Sequence, residues 1–400
     1  MQNLAIFQYG DFREACERFD SGGDENFRNQ RRSVDFMRGL AEQFPVTVIS
    51  VSVEPYDSWL TPSLRTTGLP VEQFFSRRFG HDMLHRLTPD AVIAALPHRG
   101  LLHALANRRI PTLANFADVF RWPTPRELLH RSGLRRIRDN HALRRSVNQS
   151  NVTAVCNRSL IATRSLHEVL GVPMQRVIAC EHPAIVPFGT PKTLPQGGAL
   201  SLVYAGTLSR SKGVEDLLNA TARLVKQGRV VTLRLAGDGP EASMLQAHAT
   251  QLGLGTVAEF VGRVSNARVR QLMAEADVVV VPSRHDYDEG LPNVISEGLA
   301  SHTPVIVSDH PAYAARFVPD RDVVMFPAHD ADQLADAMAR LADSPALYRA
   351  LSDRSARTLD GLFFGTCIFT ILQSFVDDPR DRSGWVRRFS MAEGKDYHCR

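Results

Sequence analysis

Cysteine is scarce in this chain, and what there is lies scattered. Cys16, Cys156, Cys180, Cys367 and Cys399 show no C-x-x-C spacing. That argues against a disulfide framework and a structural zinc site, and it suits a reducing compartment. Long hydrophobic runs are missing too. The nearest, Leu362 to Val376, is interrupted by Gly365, Thr366, Gln373 and Ser374, so it reads as a packed helix rather than a membrane span. No basic leader accompanies the short apolar segment Met1 to Phe7, which predicts no secretory signal and a cytoplasmic location. The sequons at Asn148, Asn151 and Asn157 are then chance matches. A large excess of either charge is also lacking. The formal net charge of +4 is too mild to imply a nucleic-acid partner.

What is present is regular alternation. Leu4 to Gln8, Val46 to Val53, Ala91 to Ala95, Thr112 to Asn115 and Val152 to Val155 read as strands, with helices between them at Asn29 to Phe44 and Leu101 to Asn107. This predicts an α/β fold with a largely parallel sheet. A Pro- and Gly-rich stretch from Pro183 to Gly198 then marks a linker. A second α/β unit starts at Leu202. The predicted layout is a first domain over 1–185, a linker over 186–199, a second domain over 200–360, a helix over 361–377, and a loosely ordered polar tail over 378–400.

The densest cluster of chemistry is Glu289-Gly290-Leu291-Pro292 with Glu297 beyond it. Val278 to Val281 reads as a buried strand ending in Pro282-Ser283, and Asn293 to Ala300 as a helix with Pro292 in its first turn. A helix start offers unpaired N–H groups and a positive dipole end, which suits a diphosphate. Carboxylates at Glu289 and Glu297 can accept hydrogen bonds from sugar hydroxyls on either side of it. Upstream, the strand Ser201 to Ala205 runs into Gly206, and Lys212-Gly213 precedes a helix from Val214 to Lys226. That is a glycine-permitted approach with Lys212, and Arg210 beside it, aimed at phosphate oxygens.

These motifs resemble the second domain of retaining nucleotide-sugar glycosyltransferases of family 4. The strand ending in Pro-Ser, the Glu-Gly-x-Pro turn and the helix with the second Glu all correspond. So do Gly206, Leu208 and Lys212, the Gly-x-Gly-Pro at Gly237 to Pro240, and the Phe-x-Gly-x-Val run from Phe260 to Val264. The resemblance implies the GT-B fold: two Rossmann-like parallel-sheet domains face across a cleft, and the last helix crosses back to the first domain. It implies Gly239, Arg263 and Val264 as further donor contacts. Gly22 and Gly23, in a Gly-Gly-x-Glu loop displaced by Phe12 to Ser21, correspond to the first domain's glycine loop.

Three departures stand out. Thr207 occupies the place of the family's arginine. Ser301-His302-Thr303-Pro304 replaces Gly-x-Pro, so the usual glycine has become His302 or Thr303. Ala117-Asp118 replaces a His-Asp pair, leaving Asp118 to orient the sugar or acceptor, with His98 and His103 after the preceding strand.

By this resemblance the chain moves a sugar from a nucleotide diphosphate sugar to an acceptor hydroxyl with retention, in surface polysaccharide or glycolipid assembly. Lys212, Arg210, Glu289 and Asp118 carry the chemistry. Gly22, Gly23, Gly206, Gly239, Arg263, Val264, Gly290, Leu291, Pro292 and Glu297 hold the donor. The acceptor is a saccharide or a lipid-linked group. No metal or other cofactor is expected, since Asp286-Tyr287-Asp288 shares its form with Asp320-Arg321-Asp322 and Asp330-Ala331-Asp332. A glycosidase pair flanks a bond from opposite faces, with carboxyl groups about 5 to 9 Å apart, and two glutamates straddling a helix start match that poorly. The alternative is a catalytically silent sugar-nucleotide-binding partner subunit; an epimerase or phosphorylase is a third reading. Finally, arginines crowd 121–145, where Leu128, Leu129, Leu134, Ile137 and Leu143 are interspersed. A basic amphipathic helix there predicts peripheral binding to an anionic membrane surface, on the inner face of the cytoplasmic membrane.

Overall fold

A computed structural model describes residues 3–76, 79–158, 160–182, 185–195, 197–287, 291–362 and 366–393. The first sheet is built from β1 (Leu4–Gln8), β2 (Val46–Val51), β3 (Tyr56–Thr61), β4 (Leu64–Leu69), β5 (Ala91–Ala94), β6 (Thr112–Phe116), β7 (Val152–Asn157) and β8 (Val177–Ala179), in the order β3-β4-β2-β1-β5-β6-β7-β8. The second is built from β9 (Leu200–Ala205), β10 (Val231–Ala236), β11 (Ala258–Gly262), β12 (Val278–Val281), β13 (Val305–Ser308) and β14 (Val324–Phe326), in the order β11-β10-β9-β12-β13-β14. Every pairing is parallel except β3 with β4.

Burial explains this pattern. All four valines of β12 are buried, as expected of a strand covered by helices on both faces. β3 alternates half-buried and exposed residues, which fits an edge strand, and Arg65 on β4 pairs with Asp57 on β3 at 2.5 Å. This hairpin and the short β8 escape the sequence reading. So does a helix at Phe12–Asp20. Asp11 caps it by accepting from the Glu14 N–H, and Phe12, Ala15, Cys16 and Phe19 are buried. The stretch that displaces Gly22 and Gly23 is therefore a helix inserted between β1 and the glycine loop.

The helix Ile368–Asp377 returns to the first domain, where Ile368, Ile371, Phe375 and Val376 join the core that includes Leu4, Ile6 and Val48. Residues 378–393 of the tail do not hang loose as predicted, and the rest of it lies outside the described residues. Trp385 and Val386 enter the same core, and Met391 enters a neighbouring one. Trp385 Nε1 donates to the Asp378 carbonyl at 2.9 Å. Burying the tryptophan while satisfying its one polar atom is what orders this segment. The two domains also meet at the cleft, where the Asn266 N–H donates to the Glu25 carbonyl at 2.8 Å.

Candidate active site

The second sheet reverses its strand order between β9 and β12. Ligand crevices of open α/β sheets form outside the carboxyl ends of strands at such a point. A cavity of about 280 Å³ lies there. Tyr204, Ala205 and Gly206 line it from the end of β9, and Val280, Val281 and Ser283 from the end of β12. Lys212, Pro292, Asn293 and Glu297 add to this wall, and Asn26, Phe27 and Arg28 of the first domain face them.

Lys212 is held there by close backbone packing. It ends a short 3-10 turn, and Gly213 follows with φ of 68°. A Cβ on Gly213 would stand 2.0 Å from the Pro282 carbonyl oxygen, so only glycine lets the lysine loop meet the turn after β12. The Arg284 N–H donates to the Ser211 carbonyl at 2.8 Å, and its guanidinium forks onto Asp216 at 2.7 and 2.8 Å. Both partners of this pair are buried, and it ties the lysine loop and the Val214–Lys226 helix to the β12 turn. The Lys212 Nζ lies 4.3 Å from the centroid of the Tyr287 ring, a cation–π distance.

Across the cavity the Asn293–Ala300 helix begins, with Pro292 extended at its cap position rather than inside its first turn. Glu297 is buried one turn in, and its Oε1 accepts from Asn266 Nδ2 at 2.7 Å. Burial pushes its carboxyl above the ordinary range, Glu25 adds to this, and Asn266, Arg28 and Arg270 oppose it. Asn266 takes one of about four acceptor sites that a carboxylate offers.

The other sequence-predicted residues are placed as follows. Glu289 and Gly290 lie outside the described residues. Gly206 and Pro292 line the cavity. Leu291 is half-buried on the second domain's core and borders a smaller gap with Arg28, Arg158 and His182. Gly239 packs against the Leu208 backbone, where a Cβ would come within 2.4 Å of the Leu208 carbonyl oxygen, so it shapes the loop after Gly206 from behind. Arg263 is exposed and Val264 packs on the core; Asn266, just beyond them, is the residue that reaches the cavity. Arg210, Gly22 and Asp118 are exposed and Gly23 is half-buried, and none of the four is in the cavity lining. The glycine loop reaches the cavity through Asn26 to Arg28 instead. His103 is exposed, and His98 packs among Phe74, Phe75 and Phe79.

Arg28, Asn266 and His182 were not singled out from the sequence. His182 follows closely after β8 at the carboxyl edge of the first sheet, a strand the sequence does not mark, so no signal singles it out. For Arg28 there is none either, because only the inserted helix tells how far the glycine loop reaches.

Residues 190–358 match the family described as glycosyl transferases group 1. Curated relatives include an alpha-D-kanosaminyltransferase of Streptomyces kanamyceticus, 28% identical over 39% of this chain and 39% of its own length. The putative teichuronic acid biosynthesis glycosyltransferase TuaC of Bacillus subtilis is 36% identical over 34% of this chain and 32% of its own length. The chain thus spans about two fifths or less of the length of these relatives. Among solved structures, sucrose-phosphate synthase from Thermosynechococcus elongatus superposes with a TM-score of 0.67 over 94% of this chain and 98% of that one, at 18% identity. Anabaena HepE in complex with UDP superposes with a TM-score of 0.62 over 94% and 99%, at 16% identity. The architecture is the GT-B fold, and its second domain carries the group 1 match.

Proposed function

We propose that this chain is a retaining glycosyltransferase of family 4 type that binds a nucleotide diphosphate sugar in the cavity between β9 and β12. The observation that carries the reading is convergence. Lys212, the start of the Asn293–Ala300 helix and the buried Glu297 carboxylate face one cavity at the strand-order reversal. In this reading the diphosphate lies between the Lys212 ammonium and the first N–H groups of the helix. Glu297 accepts from the ribose diol, and Glu289 from the donor sugar hydroxyls. Arg28 supplies the second cation, in the role the sequence alone gave to Arg210. Burial draws its guanidinium down and Glu297 and Glu181 hold it up, so it stays charged in the cleft.

The bond between the anomeric carbon and the β-phosphate oxygen breaks, and a bond from the acceptor oxygen to that carbon forms on the same face. The acceptor proton passes to an oxygen of the departing diphosphate. Preorganised positive charge on that leaving group is the largest rate term of the scheme. The scheme requires no metal. Its acceptor is a saccharide or lipid-linked group, a reading that the relative named for teichuronic acid biosynthesis supports.

A screen of nucleotide sugars for slow nucleotide release tests this. Release is expected from at least one donor, undiminished by EDTA, and lost in Glu297→Ala. Arg28→Ala is expected to slow it about 100-fold, and Arg210→Ala to leave it near wild type. Silence across all donors would favour a partner subunit that binds without turnover.

A further inference from the structure

The first sheet reverses its order between β1 and β5 and turns the carboxyl ends of its strands to the cleft. The amino ends lie on the far side of the domain. A cavity of about 470 Å³ opens there, at Pro111 before β6, Asn151 before β7 and Arg176 before β8. The tail beyond the Ile368–Asp377 helix forms its other wall, through Arg380, Asp381, Val386 and Arg387. Thr153 Oγ1, in the same lining, donates to the Pro379 carbonyl at 2.6 Å and holds the tail against the sheet.

Four guanidinium groups line this space, those of Arg109, Arg176, Arg380 and Arg387, and among the described residues only the Asp381 carboxylate opposes them there. That carboxylate is already used, since its Oδ1 accepts from the Val386 N–H at 2.9 Å. Arg387 pairs with Glu393, outside the lining. Arg176 is half-buried, and its Nη2 donates to the carbonyls of Val147, Gln149 and Val152, which fixes it in the wall. Arg109 and Arg380 are exposed and make no ion pair among the described residues.

Arg109 is strained to stand where it does. It follows the Arg99–Asn107 helix with φ of 53°, and the N–H groups of Arg109 and Ile110 donate back to the Ala106 and Leu105 carbonyls at 3.0 and 3.1 Å. That is the place and the backbone conformation in which glycine usually ends a helix. Glycine would relieve the strain, whereas arginine brings a cation to the cavity. Like charges around one cavity repel, and an anion held between them removes that cost.

The rest of the lining narrows the class of anion. Ser150, Thr153, Gln175 and Asn151 offer neutral hydrogen-bonding groups. Asn151 is 9% exposed; its Nδ2 donates to the Ile110 carbonyl at 3.0 Å, while its Oδ1 has no partner. An acceptor left open suits a hydroxyl. No aromatic ring among the described residues lines the cavity, so nothing there stacks on a nucleotide base. The volume suits a small organic molecule rather than a bare phosphate.

We propose that this cavity binds the phosphate ester of a sugar, its phosphate on the arginines and its ring hydroxyls on the neutral groups. The site lies apart from the seat beside Lys212 and does not rest on the glycosyltransferase reading. Because one wall is the sheet and the other is the tail, the ligand ties the two together.

Calorimetric titration of the full chain with glucose 6-phosphate, glucose and inorganic phosphate tests the proposal. Glucose 6-phosphate is expected to bind at least about 10-fold tighter than either of the others. Arg109→Gly and Arg380→Gln should each weaken it about 10-fold, and Lys212→Met should leave it unchanged. Glycine suits the backbone at 109, so lost binding in that variant is not lost folding. No binding, inorganic phosphate bound as tightly, or affinity untouched by both arginine variants overturns the proposal. Binding lost in Lys212→Met but kept in the arginine variants places the ligand in the cleft and overturns it as well. Flotation on anionic vesicles that Arg109→Gly abolishes, with no glucose 6-phosphate bound, would assign the arginines to a lipid headgroup and overturn the free sugar phosphate.

Discussion

Two half-buried histidines, each with one ring nitrogen shut away from solvent, show how single residues set the conditions under which this chain folds. His98 sits among the rings of Phe74, Phe75 and Phe79, with centroids 6.0, 5.2 and 5.9 Å away, and its Nε2 has no partner. Burial pulls its pKa from the ordinary 6.5 to about 4. His182 falls to about 3 through burial, with Arg158, Arg28 and Arg32 adding to the shift. Both are neutral in the folded chain, whereas an unfolded imidazole takes up a proton near 6.5. The unfolded state then binds more protons, so stability is full above that value and is lost as pH falls toward 4. Urea unfolding at pH 7.5, 6 and 5 should show a falling midpoint, and His98→Gln should flatten the fall. A midpoint constant over that range would contradict the assignment. In the sequence His98 and His103 follow the strand preceding Asp118, within reach of the cleft but equally placed on a loop or helix surface. It could not reveal the aromatic cage that three phenylalanines from a separate segment build around His98.

At the scale of elements, the parts read best from sequence are those fixed by local chemistry. The valine run of β12, the Val214–Lys226 helix after its glycine and the Asn293–Ala300 helix all stand where hydrophobic period and glycine or proline punctuation placed them. The parts missed are set by partners distant in sequence. β3 and β4 pair with each other and close one edge of a sheet, and nothing in Tyr56 to Leu69 alone requires it. The missing glycine before Pro304 resolves onto His302, which takes φ of 55° itself; its ring Nδ1 meets the Ser352 carbonyl at 3.1 Å. The bidentate Arg284–Asp216 pair was also hidden, since neither residue lies in a familiar motif. It clamps the lysine loop to the β12 turn, and losing one partner of such a buried pair costs about 3 to 5 kcal/mol. Arg284→Ala should therefore lower the denaturation midpoint of the second domain and weaken nucleoside diphosphate binding with it. Full stability in that variant would show that the clamp is dispensable.

At the scale of the molecule, the proposed work is divided between two sheets whose order reverses at facing edges. The second supplies Lys212, Glu297 and the helix start, and the first reaches over with Asn26 to Arg28. The first domain also carries a different feature. On and beside the Arg131–Val147 helix, Leu129 is 82% exposed and Leu134 is 61% exposed, with Arg131, Arg135 and Arg138 around them. No described helix is long and apolar enough to cross a membrane. We propose that this face rests on an anionic bilayer, its leucines in the interface and its arginines on the headgroups. Flotation with anionic vesicles at low salt should carry the protein upward, and Leu129→Asp with Leu134→Asp should leave it behind; wild-type protein that stays unbound would sink the idea. The central claim is the diphosphate seat itself. Calorimetric titration with a set of nucleoside diphosphates, in wild type and Lys212→Met, tests it most directly. The account predicts that at least one diphosphate binds in the micromolar range, that its free nucleoside does not compete, and that Lys212→Met weakens binding about 10- to 100-fold. Equal affinity in the variant, or a nucleoside that binds as tightly as its diphosphate, would contradict it.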